Sequence, residues 1–190
     1  FDLYKNLLIK FSKENIKIIN DDAMLYDFSK LNNFKLISNL PYNISSKFLL
    51  KALKLNNNLT DLVCMIQSEL ADKLNYKKTK MNKYKFINEY CGKYQILFNV
   101  SPNVFYPKPK VNSKVVKFKL LKKKIHKKNL DYFINIFFIN RRKKIRSNKY
   151  IKNLLDREIG NKRYEDLKYN EILEIYKRFH FSFSDSTDKE

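Results

Sequence analysis

Asn39, Leu40, Pro41 and Tyr42, followed by Asn43, Ile44, Ser45 and Ser46, form the stretch of this chain best suited to chemistry, and that chemistry is the holding of an amine. An Asn amide oxygen and the carbonyl of the next residue are two acceptors. Together they can take both N–H bonds of an exocyclic amino group such as that of adenine, which aims the nitrogen lone pair at an electrophile. Pro41 fixes its own φ and pushes Leu40 toward an extended backbone, so the Leu40 carbonyl is presented in one direction. Tyr42 supplies a stacking face for the ring that carries the amine.

The surrounding pattern says which elements must position these residues. Leu3, Leu7, Leu8 and Phe11 fall at helical spacing, and the β-branched run 16–19 that ends at Asp21 and Asp22 predicts a helix feeding a buried strand. Residues 35–38 predict a second strand, and Ser45 and Ser46 are N-cap candidates for an apolar helix through Leu53. A strand over 62–66, a helix over 68–74 and a Lys/Asn-rich loop over 76–83 follow. Alternating helices and strands predict a largely parallel sheet with covering helices, whose ligands gather at the carboxyl ends of strands, where Asp22 and Asn39 would sit. Residues 83–93 read as a helix, and 94–100 and 114–120 as an antiparallel strand pair around a proline-bearing loop. Beyond Lys122 the texture is basic, then apolar from Leu130 to Ile139, basic again over 141–146, and helical in two pieces over 151–179. This places a boundary near 122–129 and divides the chain into 1–121 and 122–190, with the last ten residues loose.

With 40 Lys and Arg against 19 Asp and Glu, the net charge is +21 and the pI about 9.8. Such an excess predicts a polyanionic partner. Nucleic acid is favoured over a membrane surface, because the basic residues line no single long amphipathic helix. Asn, Lys, Ile, Tyr and Phe are all abundant, so an AT-rich coding sequence could account for part of the excess. The chain is 44% hydrophobic and 15% aromatic, enough to bury a core. Cys64 and Cys91 lie in apolar surroundings without metal spacing and read as reduced core thiols of an intracellular protein. No apolar stretch approaches a membrane span. His126 and His180 have no partner spacing and are assigned no role.

Four blocks in order carry a resemblance to the bacterial-type ribosomal RNA adenine N6-dimethyltransferases. The first is the string from Asn39 to Ser46. The second, Met65-Ile66-Gln67-Ser68-Glu69-Leu70-Ala71, is similar to the family's Gln-x-Glu strand-to-helix junction. The third, Phe105-Tyr106-Pro107-Lys108-Pro109-Lys110-Val111-Asn112-Ser113, resembles its Phe-x-Pro-x-Pro-Lys-Val-Asp/Asn-Ser loop. The fourth, from Phe138 to Arg146, resembles a C-terminal helical signature. The resemblance implies a Rossmann-like methyltransferase domain of the α/β class with a small all-helical C-terminal domain. It also implies S-adenosylmethionine as methyl donor and two adjacent adenines near the 3′ end of small-subunit rRNA as substrate. Carried over, Asn39, Leu40, Pro41 and Tyr42 hold the target base and Phe105 closes on its other face. Asp22 and Ala23, with Asn39, contact the donor. Lys108, Lys110, Arg141, Arg142, Lys143 and Arg146 are the candidate RNA contacts, and no metal is implied. The expected partner is the immature small ribosomal subunit, bound by a monomer. Read from the residues alone, Asp22 could cap a strand end, Phe105 could anchor its loop in the core, and Arg141 to Arg146 could be a solvated helix face.

The chain departs from the family pattern at its start. The family opens with a strand, a Gly-rich turn and a ribose-binding acid, and neither Gly92 nor Gly160 lies near such a place. Asp2 matches the residue two places beyond that acid, so the sequence reads as the family without its first strand and turn. A chain that begins at Phe1 suggests a piece of something longer, or else a member that has lost donor binding. Lys85 stands where the family usually has Gly after an aromatic. Competing readings are a large-subunit rRNA adenine methyltransferase, a non-catalytic RNA- or DNA-binding assembly or transcription factor, and a DNA adenine methyltransferase. The helical tail disfavours the last. A bacterial cytoplasm and a eukaryotic organelle are both compatible with the sequence.

Overall fold

The computed structural model describes residues 2–55, 58–75, 80–121, 127–140 and 143–187. Helix α1 (Asp2–Lys10) is followed by irregular chain and a short 3-10 turn (Phe28–Lys30), then strand β1 (Phe34–Asn39), helix α2 (Tyr42–Leu53) and strand β2 (Leu59–Gln67). Helices α3 (Ser68–Leu74) and α4 (Lys83–Cys91) lead to strands β3 (Gly92–Val100) and β4 (Ser113–Leu120). The chain closes with helices α5 (Lys127–Phe137), α6 (Arg157–Asn161) and α7 (Tyr169–Thr187), separated by 3-10 turns.

The sheet runs β1-β2-β4-β3. Only β1 and β2 are parallel; β4 runs antiparallel to both β2 and β3. The antiparallel β3–β4 pair read around the proline loop is present; because β4 also takes the free edge of β2, only one parallel pair remains and the sheet is mixed instead of largely parallel. Alternation along β2 and β4 buries Leu62, Cys64, Ile66, Val116 and Phe118, against which α2, α3 and α4 pack. On β1 the same alternation points Lys35, Ile37 and Asn39 outward, and Ile37 is 82% exposed.

The helix expected at the start is present as α1, though none of its residues is buried, but the strand expected after it is not: residues 16–19 form no strand. A strand is stable only when a neighbour takes its backbone groups. β1 pairs with β2 on one side, and the run 16–19 does not join its other edge. Asp22 accordingly sits in a turn, not at a strand end.

The second half of the core is aromatic. Phe86 of α4 lies 6.0 Å from Phe133 of α5, and 5.7 and 6.3 Å from Tyr169 and Tyr176 of α7. One hydrophobic cluster thus runs from the sheet into the helical C-terminal part. Lys85 is taken up in the first turn of α4, where its N–H bonds the capping Asn82 Oδ1 at 3.2 Å. It is 2% exposed, and burial holds its ammonium below the ordinary range. Cys64 and Cys91 are buried free thiols, and burial pushes Cys64 up to about 12. Among the described residues no helix is long and apolar enough to cross a membrane.

Candidate active site

The strand ends define where the site lies. Asn39 closes β1 in register with Met65, while Gln67, Ser113 and Val100 are aligned at the same end of the neighbouring strands. Leu40 is buried, which pins the chain between an exposed Asn39 and an exposed Pro41. Pro41 (φ −56°, ψ 136°) then turns the backbone into α2, its carbonyl accepting from Ile44 at 3.2 Å and Ser45 at 3.1 Å. The helix starts at Tyr42, earlier than the serines predicted. Pro41 already presets the φ needed to enter a helix, and the Ser45 hydroxyl bonds back to the Tyr42 carbonyl at 3.0 Å instead of capping. No described residue donates a hydrogen bond to the Asn39 side chain or to the Leu40 carbonyl. Both acceptors of the sequence reading are thus without a described hydrogen-bond partner at the end of β1.

Phe105 belongs to the loop between β3 and β4, whose flanking residues Val100 and Ser113 lie at that same end of the sheet. A 3-10 turn (Pro102–Val104) capped by Ser101 leads into Phe105, whose backbone is extended (φ −111°, ψ 146°) and whose ring is half-buried. Two bonds tie the far end of the loop to the Asn39 side of the sheet. The Tyr42 hydroxyl lies 2.7 Å from Ser113 Oγ, and the Ser68 N–H donates to the Asn112 carbonyl at 2.9 Å. Lys114 adds an ion pair to Asp72 at 2.8 Å. The Asn39–Tyr42 string, the Gln67–Ser68 junction and the Phe105 loop, separate in sequence, therefore converge.

Asp22 organises a tight turn. Its Oδ1 accepts from the Met24 N–H at 2.7 Å, and its carbonyl accepts from Leu25 and Tyr26 at 2.9 and 2.8 Å. The Asp22 carboxylate is exposed, with its second oxygen left for a further donor, and the Ala23 N–H beside it is not used by another described residue. Lys51, projecting from α2, closes the turn from below: its ammonium donates to the carbonyls of Met24 and Tyr26, each at 2.8 Å, and of Ala23 at 3.4 Å, and lies 5.2 Å from the Phe28 ring centroid. All three ammonium protons are thereby committed to fixing this turn against the helix that begins with Tyr42.

The basic candidates divide. Lys108 and Lys110 are exposed on the Phe105 loop. Lys143 and Arg146 are exposed around a 3-10 turn (Ile145–Ser147) and not on an α-helical face. Arg141 and Arg142, like His126 and the start of the predicted boundary, lie outside the described residues. Lys143 also lines a cleft of about 950 Å³ with Lys73, Lys80, Lys83 and Tyr84. Neither this cleft nor a second of about 560 Å³ beside Lys51 includes Asn39, Tyr42 or Phe105. The candidate site is an open rim.

Lys51 and Ser113 escaped the sequence reading. Lys51 occupies an ordinary helical position, and only the fold reveals the three carbonyls it meets. Ser113 was visible as the end of the proline loop, but its bond to Tyr42 spans 71 positions.

A family model described as ribosomal RNA adenine dimethylase matches residues 2–180. A ribosomal RNA small subunit methyltransferase A from Mesomycoplasma hyopneumoniae (strain 232) is 37% identical over 124 residues, covering 62% of this chain and 48% of that protein. One from Ureaplasma urealyticum serovar 10 is 31% identical over 178 residues, covering 86% and 62%. The chain thus spans roughly half to three fifths of the length of these relatives. Among solved structures, a dimethyladenosine transferase from Plasmodium falciparum superposes with a TM-score of 0.73 at 20% identity, covering 93% of this chain and 77% of that one. The 23S rRNA methyltransferase ErmE gives 0.66 at 18%, covering 94% and 78%. At such identities these two establish the α/β Rossmann-like fold.

Proposed function

This chain belongs to the ribosomal RNA adenine dimethylase family, and from that premise we propose that it carries the base-holding half of an enzyme that dimethylates N6 of adenines in small-subunit rRNA. The observation that carries the reading is the pair Asn39 Oδ1 and Leu40 carbonyl, neither accepting from a described residue, directly before Tyr42, whose hydroxyl meets Ser113 at the end of the Phe105 loop. The names of the relatives favour the small subunit over the large.

The amine of adenine is a poor nucleophile because its lone pair is delocalised into the ring. Two acceptors on its N–H groups favour pyramidal nitrogen and direct the lone pair outward. Tyr42 and Phe105 replace the stacking the base loses on leaving its neighbours, worth roughly 1–3 kcal/mol per base. S-adenosylmethionine, when bound, supplies an electrophilic methyl on sulfonium with a neutral thioether as leaving group. The amine loses one proton per transfer, and no strong base is required. Asp22 Oδ2 and the Ala23 N–H fit the adenine end of that donor, one accepting from its amine and the other donating to its ring. After the first transfer one N–H has been replaced by methyl. Asn39, untethered and exposed, can swing to make room for it while Leu40 holds the remaining N–H.

Lys108, Lys110, Arg141, Arg142, Lys143 and Arg146 are proposed to meet phosphates and fix the register of the RNA without reading bases. Residues 122–190 would then form the RNA-binding helical part beside a methyltransferase part over 1–121. A single copy acting on the immature small subunit completes the reading.

The test is Asn39→Ala in the protein at its native length. Methyl transfer to immature small subunits should fall by about a hundred- to a thousandfold, the order of loss seen when a transition-state hydrogen-bonding group is removed. RNA affinity should stay within about twofold. Transfer near the unsubstituted rate would overturn the assignment.

A further inference from the structure

The loop that carries Phe105 has a second aromatic with nothing to do inside the protein. Tyr106 is 102% exposed and Val104 is 70% exposed, in a loop with no acidic residue, three prolines and two exposed lysines. A single exposed ring is common on protein surfaces, and this one gains meaning from its neighbours: exposed Val104, the Phe105 ring and two exposed lysines on the same loop. The loop is also stiff. Pro102, Pro107 and Pro109 restrict its backbone, and the Tyr42–Ser113 and Ser68–Asn112 bonds anchor its far end, so a ligand meets a surface already in place.

The backbone at Phe105 is extended, so the side chains of Phe105 and Tyr106 leave it on opposite sides. Phe105 is half-buried, whereas Tyr106 faces solvent one residue further on, with Lys108 and Lys110 following. An aromatic with a sequence-tolerant stacking face, flanked by cations and no carboxylates, matches an unpaired nucleotide with its phosphates. A membrane headgroup would pair with the lysines but leave the ring without a planar partner.

We infer that Tyr106 is a second stacking platform, on which the nucleotide adjoining the target adenine rests while Lys108 and Lys110 hold its phosphates. The inference builds on the reading of Asn39 to Tyr42 as the target-base holder and adds the class of RNA accepted: a strand locally single over at least two consecutive nucleotides. A site that grips the neighbour of its target also keeps two adjacent adenines in reach without full release of the strand.

The experiment uses a short single-stranded RNA of about ten nucleotides with two adjacent adenines, and a copy carrying 2-aminopurine next to the target position. Stacking on Tyr106 quenches that fluorophore on binding. Tyr106→Ala should weaken affinity about 5- to 100-fold and abolish the quench, while Tyr106→Phe, which keeps the ring, should stay within about twofold. Phe105→Ala should instead remove quenching at the target position and leave it at the neighbour. Tyr106→Ala binding within about twofold of the unsubstituted chain would overturn the inference. So would an equal loss on a duplex RNA of the same length, since that would make the loop a phosphate contact only. If the unsubstituted chain binds neither RNA, the base-holding reading falls with it.

Discussion

At the scale of single residues, the Tyr42 hydroxyl has two tasks that substitution can separate. The ring is the proposed stacking face, while the hydroxyl, 2.7 Å from a Ser113 Oγ that is fully buried, joins the helix after Asn39 to the strand after the Phe105 loop. Tyr42→Phe keeps the ring and orphans a buried hydroxyl. The expected loss of stability is about 1–3 kcal/mol, the cost of an unsatisfied buried group, more than the worth of the bond itself. Ser113→Ala in the same background removes the orphan and should restore about 1 kcal/mol. Urea denaturation of the two single variants and the double variant would read that coupling. Strictly additive losses would mean that the two hydroxyls do not depend on each other, and the loop would need another anchor.

At the scale of elements, α2 is the member that joins the two halves of the site. Its first residue is Tyr42, and about two and a half turns further on Lys51 fixes the Asp22 turn through the carbonyls of Ala23, Met24 and Tyr26. Lys51→Met keeps the aliphatic stem and removes all three donors. The amides of 23–27 should then exchange with deuterium faster. In the protein at its native length the KM for the methyl donor should rise about tenfold, with kcat changed less than about threefold, because a looser turn costs ordering on binding and not chemistry. Lys51→Arg should recover part of both. Unchanged exchange at those amides would remove Lys51 from the site. Such a residue shows where the sequence was legible and where it was not. The extents of β1, β2, α3, α4, β3 and β4 follow from local alternation and helical spacing, and the reading placed each within a few residues. The convergence of Asn39, Gln67 and Phe105 was legible only through a resemblance. The antiparallel β3–β4 pair was legible from its proline loop, but its insertion beside β2, which leaves one parallel pair in the sheet, was not, since local spacing does not give strand order. The run 16–19 was misread because its apolar pattern promises a strand while its ladder partner decides one. Lys51 carried no signal at all, since a lysine on a helix is ordinary until its carbonyls are known.

At the scale of the whole molecule, one asymmetry decides what the chain of 190 residues can hold. In parallel α/β sheets a ligand lies in the crevice between the carboxyl ends of adjacent strands, and the donor of a methyl group must be gripped on both sides. Among the described residues β1 has a neighbour on one side only, its other edge is free, and Ile37 is 82% exposed on the open face. On the proposed reading Asp22 and Ala23 serve the adenine end of the donor, and neither glycine of the chain offers a turn for its other end. Gly92 starts β3, where an added Cβ would meet the Lys119 carbonyl at 2.6 Å, so close strand packing accounts for it, and Gly160 lies in α6. A one-walled crevice predicts that this chain, titrated with S-adenosylmethionine in a calorimeter, binds with a Kd weaker than about 1 mM, that is, with less than roughly 4 kcal/mol. It should still bind single-stranded RNA, because the acceptor pair, Phe105 and Tyr106 are complete. Donor binding in the micromolar range would mean that the open side of β1 supplies contacts of its own, and the division of this chain into a finished base-holding half and an unfinished donor half would have to be abandoned.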